Sequence, residues 1–99
     1  MIDLLSKIYV DLNELVIRKV PHDKEILSTR IIKEHTKICE YCFNIKYSNK
    51  DKNYMLEFKV SIKYILFILN YFVSKKIINN DVYKIIEKEY KDLYYIINP

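Results

Sequence analysis

Two neighbouring segments, Tyr41-Cys42-Phe43-Asn44-Ile45-Lys46-Tyr47-Ser48 and Asn53-Tyr54-Met55-Leu56-Glu57-Phe58-Lys59-Val60, decide the fold, because each can be read with two different periods. Tyr41, Phe43, Ile45 and Tyr47 alternate with Cys42, Asn44, Lys46 and Ser48, and Tyr54, Leu56, Phe58 and Val60 alternate with Met55, Glu57, Lys59 and Ser61. Alternation by two is the strand pattern. A loop of about four residues ending at Lys52 pairs Tyr47 with Tyr54, Ile45 with Leu56, Phe43 with Phe58 and Tyr41 with Val60, all on one face of a β-hairpin. Met55, Phe58, Ile62, Ile65, Leu69 and Phe72 recur equally well at helical spacing, and on that reading both segments belong to helices.

Beyond the second segment, Ile62-Lys63-Tyr64-Ile65-Leu66-Phe67-Ile68-Leu69-Asn70-Tyr71-Phe72-Val73 is apolar on every face except at Lys63 and Asn70. A helix of that kind is expected to be surrounded by other elements. At the N-terminal side, Leu4, Leu5, Ile8, Tyr9, Leu12, Leu15 and Val16 recur at helical spacing, and Pro21 breaks the pattern by biasing Val20 away from helical angles. Leu27, Ile31, Ile32 and Ile38 form the inner face of a second helix, and Val82, Ile85, Ile86, Leu93, Ile96 and Ile97 that of the last. The expected fold is α+β and mainly helical. Helices span about 3–18, 24–39, 62–75 and 81–97 around the central apolar helix, with the hairpin over 41–48 and 53–60; the alternative is an all-α four-helix bundle. One compact domain, 1–99, accounts for the length.

With 51% hydrophobic and 30% charged residues, the chain has enough apolar surface to order itself. Gly, Trp, Ala and Gln are absent while Ile, Lys, Asn and Tyr dominate, a bias that follows AT-rich codons. Without Gly, neither a Walker loop nor a dinucleotide fingerprint can form, and left-handed cap positions fall to Asn, Asp or Lys. The charge of +4 suits acidic partners. The first residues carry no basic leader, and no apolar run reaches the ~20 residues of a membrane span, so a cytoplasmic location and no membrane span are expected.

Cys39 and Cys42 have redox or half-zinc spacing, with His35 four residues upstream of Cys39, but no second pair completes a site. Two structural thiols, with no metal and no cofactor, are the expectation. Lys46, Lys50, Lys52 and Lys59, with Lys63 beyond, would line a hairpin that could lie against nucleic acid. On the last helix Tyr83, Tyr90 and Tyr94 fall at offsets of seven and four and so share a stripe beside the core face. With Glu87 and Lys91 they form a candidate contact face, since Tyr buries large area at small entropic cost.

Three resemblances accompany these residues. Residues 62–97 resemble the last helical hairpin of the small cationic immunity proteins that protect bacteria from their own bacteriocins, and the segment from Lys76-Ile77-Ile78 through Tyr83, Ile86 and Tyr90 is similar to short C-terminal helical hairpins of many bacterial proteins. Arg30-Ile31-Ile32-Lys33-Glu34-His35 resembles the Arg and His motif of HEPN ribonucleases, helical bundles that dimerise to bring two motifs together. That resemblance implies Arg30 steadying a scissile phosphate and His35 moving a proton. No acid–base dyad or nucleophile set stands out. The leading expectation is a small non-enzymatic protein that binds a protein partner or a second copy, as an inhibitor, immunity or accessory factor. A basic nucleic-acid-binding module is the alternative, and a dimeric ribonuclease using Arg30 and His35 is the second.

Overall fold

The computed structural model describes residues 1–47 and 53–98. Leu5, Ile8, Leu12 and Leu15, spaced by three and four, give the first helix, α1 (Ile2–Arg18), its buried stripe. The chain then leaves helical geometry at Pro21, which is extended (φ −68°, ψ 157°), and re-enters through a single 3-10 turn, His22–Lys24. The second helix, α2 (Glu25–Tyr47), buries Ile31, His35, Ile38 and Cys42. The third, α3 (Asn53–Ser74), buries Phe58, Ser61, Ile65, Ile68, Leu69 and Phe72, and the fourth, α4 (Asn80–Ile97), buries Ile86, Glu89, Tyr90 and Leu93. No strand occurs among the described residues.

The hairpin expectation is therefore overturned in favour of the all-α alternative. Residues 41–47 are the last turns of α2 and residues 53–60 the first turns of α3, while Ser48 and the expected loop, 49–52, lie outside the described residues. Burial follows the helical period through both segments: Ile38 and Cys42 are buried and Ile45 half-buried on α2, and Phe58, Ser61 and Ile65 are buried on α3. Phe43 and Phe58, which a hairpin would have paired, are separated, the first exposed and the second in the core. A lone two-stranded hairpin buries little, whereas extending α2 and α3 lengthens the most extensive helix pair in the fold.

A second expectation is also corrected. α2 and α4 each pack on both α1 and α3, while α1 and α3 sit at opposite corners without close backbone approach. The apolar helix is a corner post and not a surrounded hub. Its inner side is core, but Phe67 is 70% exposed, and Leu56, Val60 and Tyr64 join it on the outside.

Between α3 and α4 the chain needs a left-handed residue, and with no Gly available Lys76 takes it at φ 60°. Its N–H bonds the Val73 carbonyl at 3.0 Å and the Ile77 N–H bonds the Phe72 carbonyl at 2.9 Å, which closes the last turn of α3. Ile78 plugs the end of the core. Asn79 then caps α4, its Oδ1 accepting from the Val82 N–H at 2.9 Å.

Candidate partner-binding groove

The tyrosine stripe expected on the last helix divides once its neighbours are in place. Tyr90 is only 1% exposed and belongs to the core. Its hydroxyl lies 2.8 Å from His35 Nδ1, and His35 Nε2 lies 3.0 Å from the Leu5 carbonyl oxygen. A carbonyl only accepts, so Nε2 carries the proton, Nδ1 accepts, and the Tyr90 O–H donates. This chain of bonds ties α4 to α2 and α2 to α1, and it removes Tyr90 from the contact face expected of it. Burial pushes the Tyr90 hydroxyl well above, and holds the His35 imidazole below, their ordinary titration ranges.

Tyr83 is half-buried, its hydroxyl 3.4 Å from Glu87. Burial first, then the Glu87 carboxylate, raises its pKa. Tyr94 is also half-buried; Asn98 donates to its hydroxyl at 2.9 Å, and the Lys59 ammonium lies 5.4 Å from its ring centroid. That last contact brings two expected sets together. Lys59 and Lys63, expected on a nucleic-acid-binding hairpin, lie on α3 facing Glu87, Lys91 and Tyr94 of α4. With Ile62, Leu66 and Tyr95 they enclose an open groove of about 300 Å³, floored by Ile62, Leu66 and the Tyr90 ring.

Tyr95, 68% exposed, is the member that sequence reasoning missed. It meets Tyr94 edge-on, centroids 5.9 Å apart. Its signal was the four-residue step from Lys91, which puts both on one side of α4. Lys59, Lys63 and Lys91 make no ion pair among the described residues. Lys46 is not part of the groove and lies near the Tyr47 ring, while Lys50 and Lys52 fall outside the described residues.

The other candidate chemistries are not assembled. Arg30 and His35, five residues apart, point about 140° apart around α2. Arg30 is exposed against the Tyr64 ring, and His35 has no exposed surface and both ring nitrogens engaged. Cys39 and Cys42 are free thiols, and burial pushes Cys42 up to about 12 and raises Cys39. His22, the other histidine, sits on the surface in the 3-10 turn before α2, 3.6 Å from Glu25, whereas His35 lies midway along the helix. Among the described residues no three His, Cys, Asp or Glu side chains gather as metal ligands.

At the α1–α4 contact, Lys7 bridges Asp11 and Glu89, both at 2.9 Å. The second oxygen of Glu89 is buried without a hydrogen-bond partner, and burial raises that carboxyl's pKa against the opposing pull of Lys7. No helix among the described residues is long and apolar enough to cross a membrane. No protein-family model, curated protein or solved structure matches the chain.

Proposed function

We propose that this chain is a small binding protein that seats a protein partner in the α3–α4 groove. The observation that carries the reading is the convergence of Lys59, Lys63, Lys91, Tyr94 and Tyr95 from two helices around an apolar floor. Lysines that make no ion pair among the described residues, beside partly exposed tyrosines over aliphatic side chains, give the mix of anchor and rim that protein interfaces use. Arg30 and His35 stand apart, and the reading assigns them structural roles, Arg30 on the surface of Tyr64 and His35 as the link between helices.

The test is partner capture from the native host by the wild-type chain and by the double variant Lys91→Glu with Tyr95→Ser. Both positions are exposed, so the variant keeps the wild-type melting curve within a few degrees. Identified proteins captured by the wild type should be lost from the variant. Identical capture by both chains would refute the groove.

Nucleic acid is the second reading, favoured by Tyr95 standing beside three lysines, since bases stack on exposed aromatic rings while Lys neutralises phosphate. If the three lysines each meet a phosphate, log affinity for a single strand falls with log salt at a slope of roughly −2. Absence of binding at low salt would remove it.

A further inference from the structure

The outer side of α3 carries more apolar surface than the fold uses. Leu56, Val60, Tyr64 and Phe67 follow at steps of four, four and three residues, which keeps them within about 80° of the helix circumference. Leu56 is 62% exposed and Phe67 is 70% exposed. Beside this ridge runs an exposed row on α2, Ile26, Arg30, Lys33 and Lys37, spaced by four, three and four. The two rows meet at Tyr64, whose ring centroid lies 5.1 Å from the Arg30 guanidinium and which shares a shallow depression with Ile26, Arg30 and Lys33. Ile26 is 85% exposed. On the other side of the ridge stand Lys59 and Lys63, so apolar side chains project between two cationic rows.

Acids are present on this face as well: Glu34 lies buried 3.5 Å from Lys37, Glu57 accepts from the Tyr41 hydroxyl at 3.1 Å, and Glu25 and Glu40 stand exposed at the two ends of the α2 row, outside the stretch that carries Arg30 and Lys33.

We propose that the α2–α3 face docks on an anionic lipid surface, with Ile26, Leu56, Val60 and Phe67 entering the boundary between headgroups and acyl chains. Arg30, Lys33, Lys59 and Lys63 then lie level with lipid phosphates. Apolar side chains flanked by cations are what binding in the plane of such a surface requires, the apolar area supplying burial and the cations attraction to anionic headgroups. Charge selects this occupant over a second copy. An antiparallel two-fold packing of the ridge lays each cationic row against its own equivalent, and a parallel packing lays it against the other cationic row. Shape favours it over a partner helix, because Leu56, Val60 and Phe67 project outward and none of them lines the shallow depression at Ile26, Arg30 and Tyr64. The docking is peripheral, since no described helix can cross a membrane. It goes beyond partner capture in the α3–α4 groove and depends on neither Lys91, Tyr94 nor Tyr95.

The test is sedimentation with two kinds of vesicle, phosphatidylcholine alone and phosphatidylcholine with phosphatidylserine in about equal parts. The chain should sediment with the anionic vesicles and stay in solution with the neutral ones. Leu56→Ser with Phe67→Ser should weaken the association about tenfold or more while preserving the melting curve, since both side chains are exposed. Arg30→Glu with Lys33→Glu should weaken it as strongly, whereas Lys91→Glu with Tyr95→Ser should leave it unchanged while abolishing partner capture. Several results would overturn the proposal. They are equal binding to neutral vesicles, no binding to either kind, or wild-type binding by the Leu56 and Phe67 variant, which would make the attraction one of charge alone. Self-association in analytical ultracentrifugation that Phe67→Ser abolishes would show that a second copy covers the ridge.

Discussion

Tyr90→Phe removes one oxygen atom from the centre of the fold, and the geometry around it sets the cost. Because the Leu5 carbonyl fixes the His35 proton on Nε2, Nδ1 is left needing a donor, and the Tyr90 hydroxyl 2.8 Å away is the one it has. The phenylalanine ring keeps nearly all the packing, so the loss is that of a buried acceptor left unsatisfied, ~1–3 kcal/mol. Set against a domain stability of ~5–15 kcal/mol, that is a large effect for one atom. Urea unfolding at neutral pH should show it as a lowered midpoint with an unchanged slope. A loss below ~0.5 kcal/mol would mean that the hydroxyl contributes no more than an ordinary surface group, and the bond network would be wrong. The pH dependence supplies a second reading of the same network. Burial holds the His35 pKa below its ordinary value, so the unfolded chain binds the proton first as pH falls. The stability His35 contributes is therefore complete above ~6.5 and declines below it, by at most ~1.4 kcal/mol per pH unit, until the folded-state pKa is reached. Glu89 has the opposite sign: its raised pKa gives a contribution present below the unfolded carboxyl value and lost as pH rises through the folded one. Subtracting the pH profile of His35→Phe from that of the wild type isolates the histidine. Parallel profiles from neutral pH to about pH 5 would refute the assignment.

Leu69→Ala should cost ~2–5 kcal/mol by opening a cavity at a position with no exposed surface; an unchanged melting curve would contradict the placement of α3's inner face. Lys76→Gly should stabilise by up to about 1 kcal/mol, because a residue without Cβ relieves the left-handed backbone at φ 60°, and a lowered melting temperature would show that the lysine side chain matters more than the turn. With both thiol pKa values raised by burial, Cys42 should react with a disulfide reagent only as fast as the chain opens and Cys39 only slowly at neutral pH; rapid labelling of both would refute their placement.

The helical faces were legible where apolar residues recur at three and four, as in Leu5, Ile8, Leu12 and Leu15, because one helix face and one burial environment explain them. The same test should have placed Tyr90. It lies four residues after Ile86 and three before Leu93, both buried, so its position on the core arc was present in the spacing. What drew it toward the surface was its matching offset from Tyr83 and Tyr94. A tyrosine enters a core only when its hydroxyl has a partner, and the partner, His35, comes from another helix. The groove was half legible for a related reason. Lys59 and Lys63 were singled out on one segment and Lys91 and Tyr94 on another, but only the packing of α3 against α4 makes them one site.

The stretch from Ile62 to Val73 shows where pattern reading has a definite physical limit. Apolar residues on every side say that water is unfavourable to the helix, and they do not say how many neighbours the topology provides. α3 occupies one corner of the bundle, packing on α2 and α4 with α1 at the opposite corner, and the corner leaves an arc uncovered. No other described helix covers that arc, so Leu56, Val60 and Phe67 stay outside while Ile65, Leu69 and Phe72 go in. Selection for folding alone would place mostly polar residues there, as on the exposed arc of α4, where Lys84, Lys88 and Asp92 surround Tyr95. The contrast between the two corners is the reason to look for an apolar phase outside the chain against α3, and to look for it where Arg30 and Lys33 stand on one side and Lys59 and Lys63 on the other.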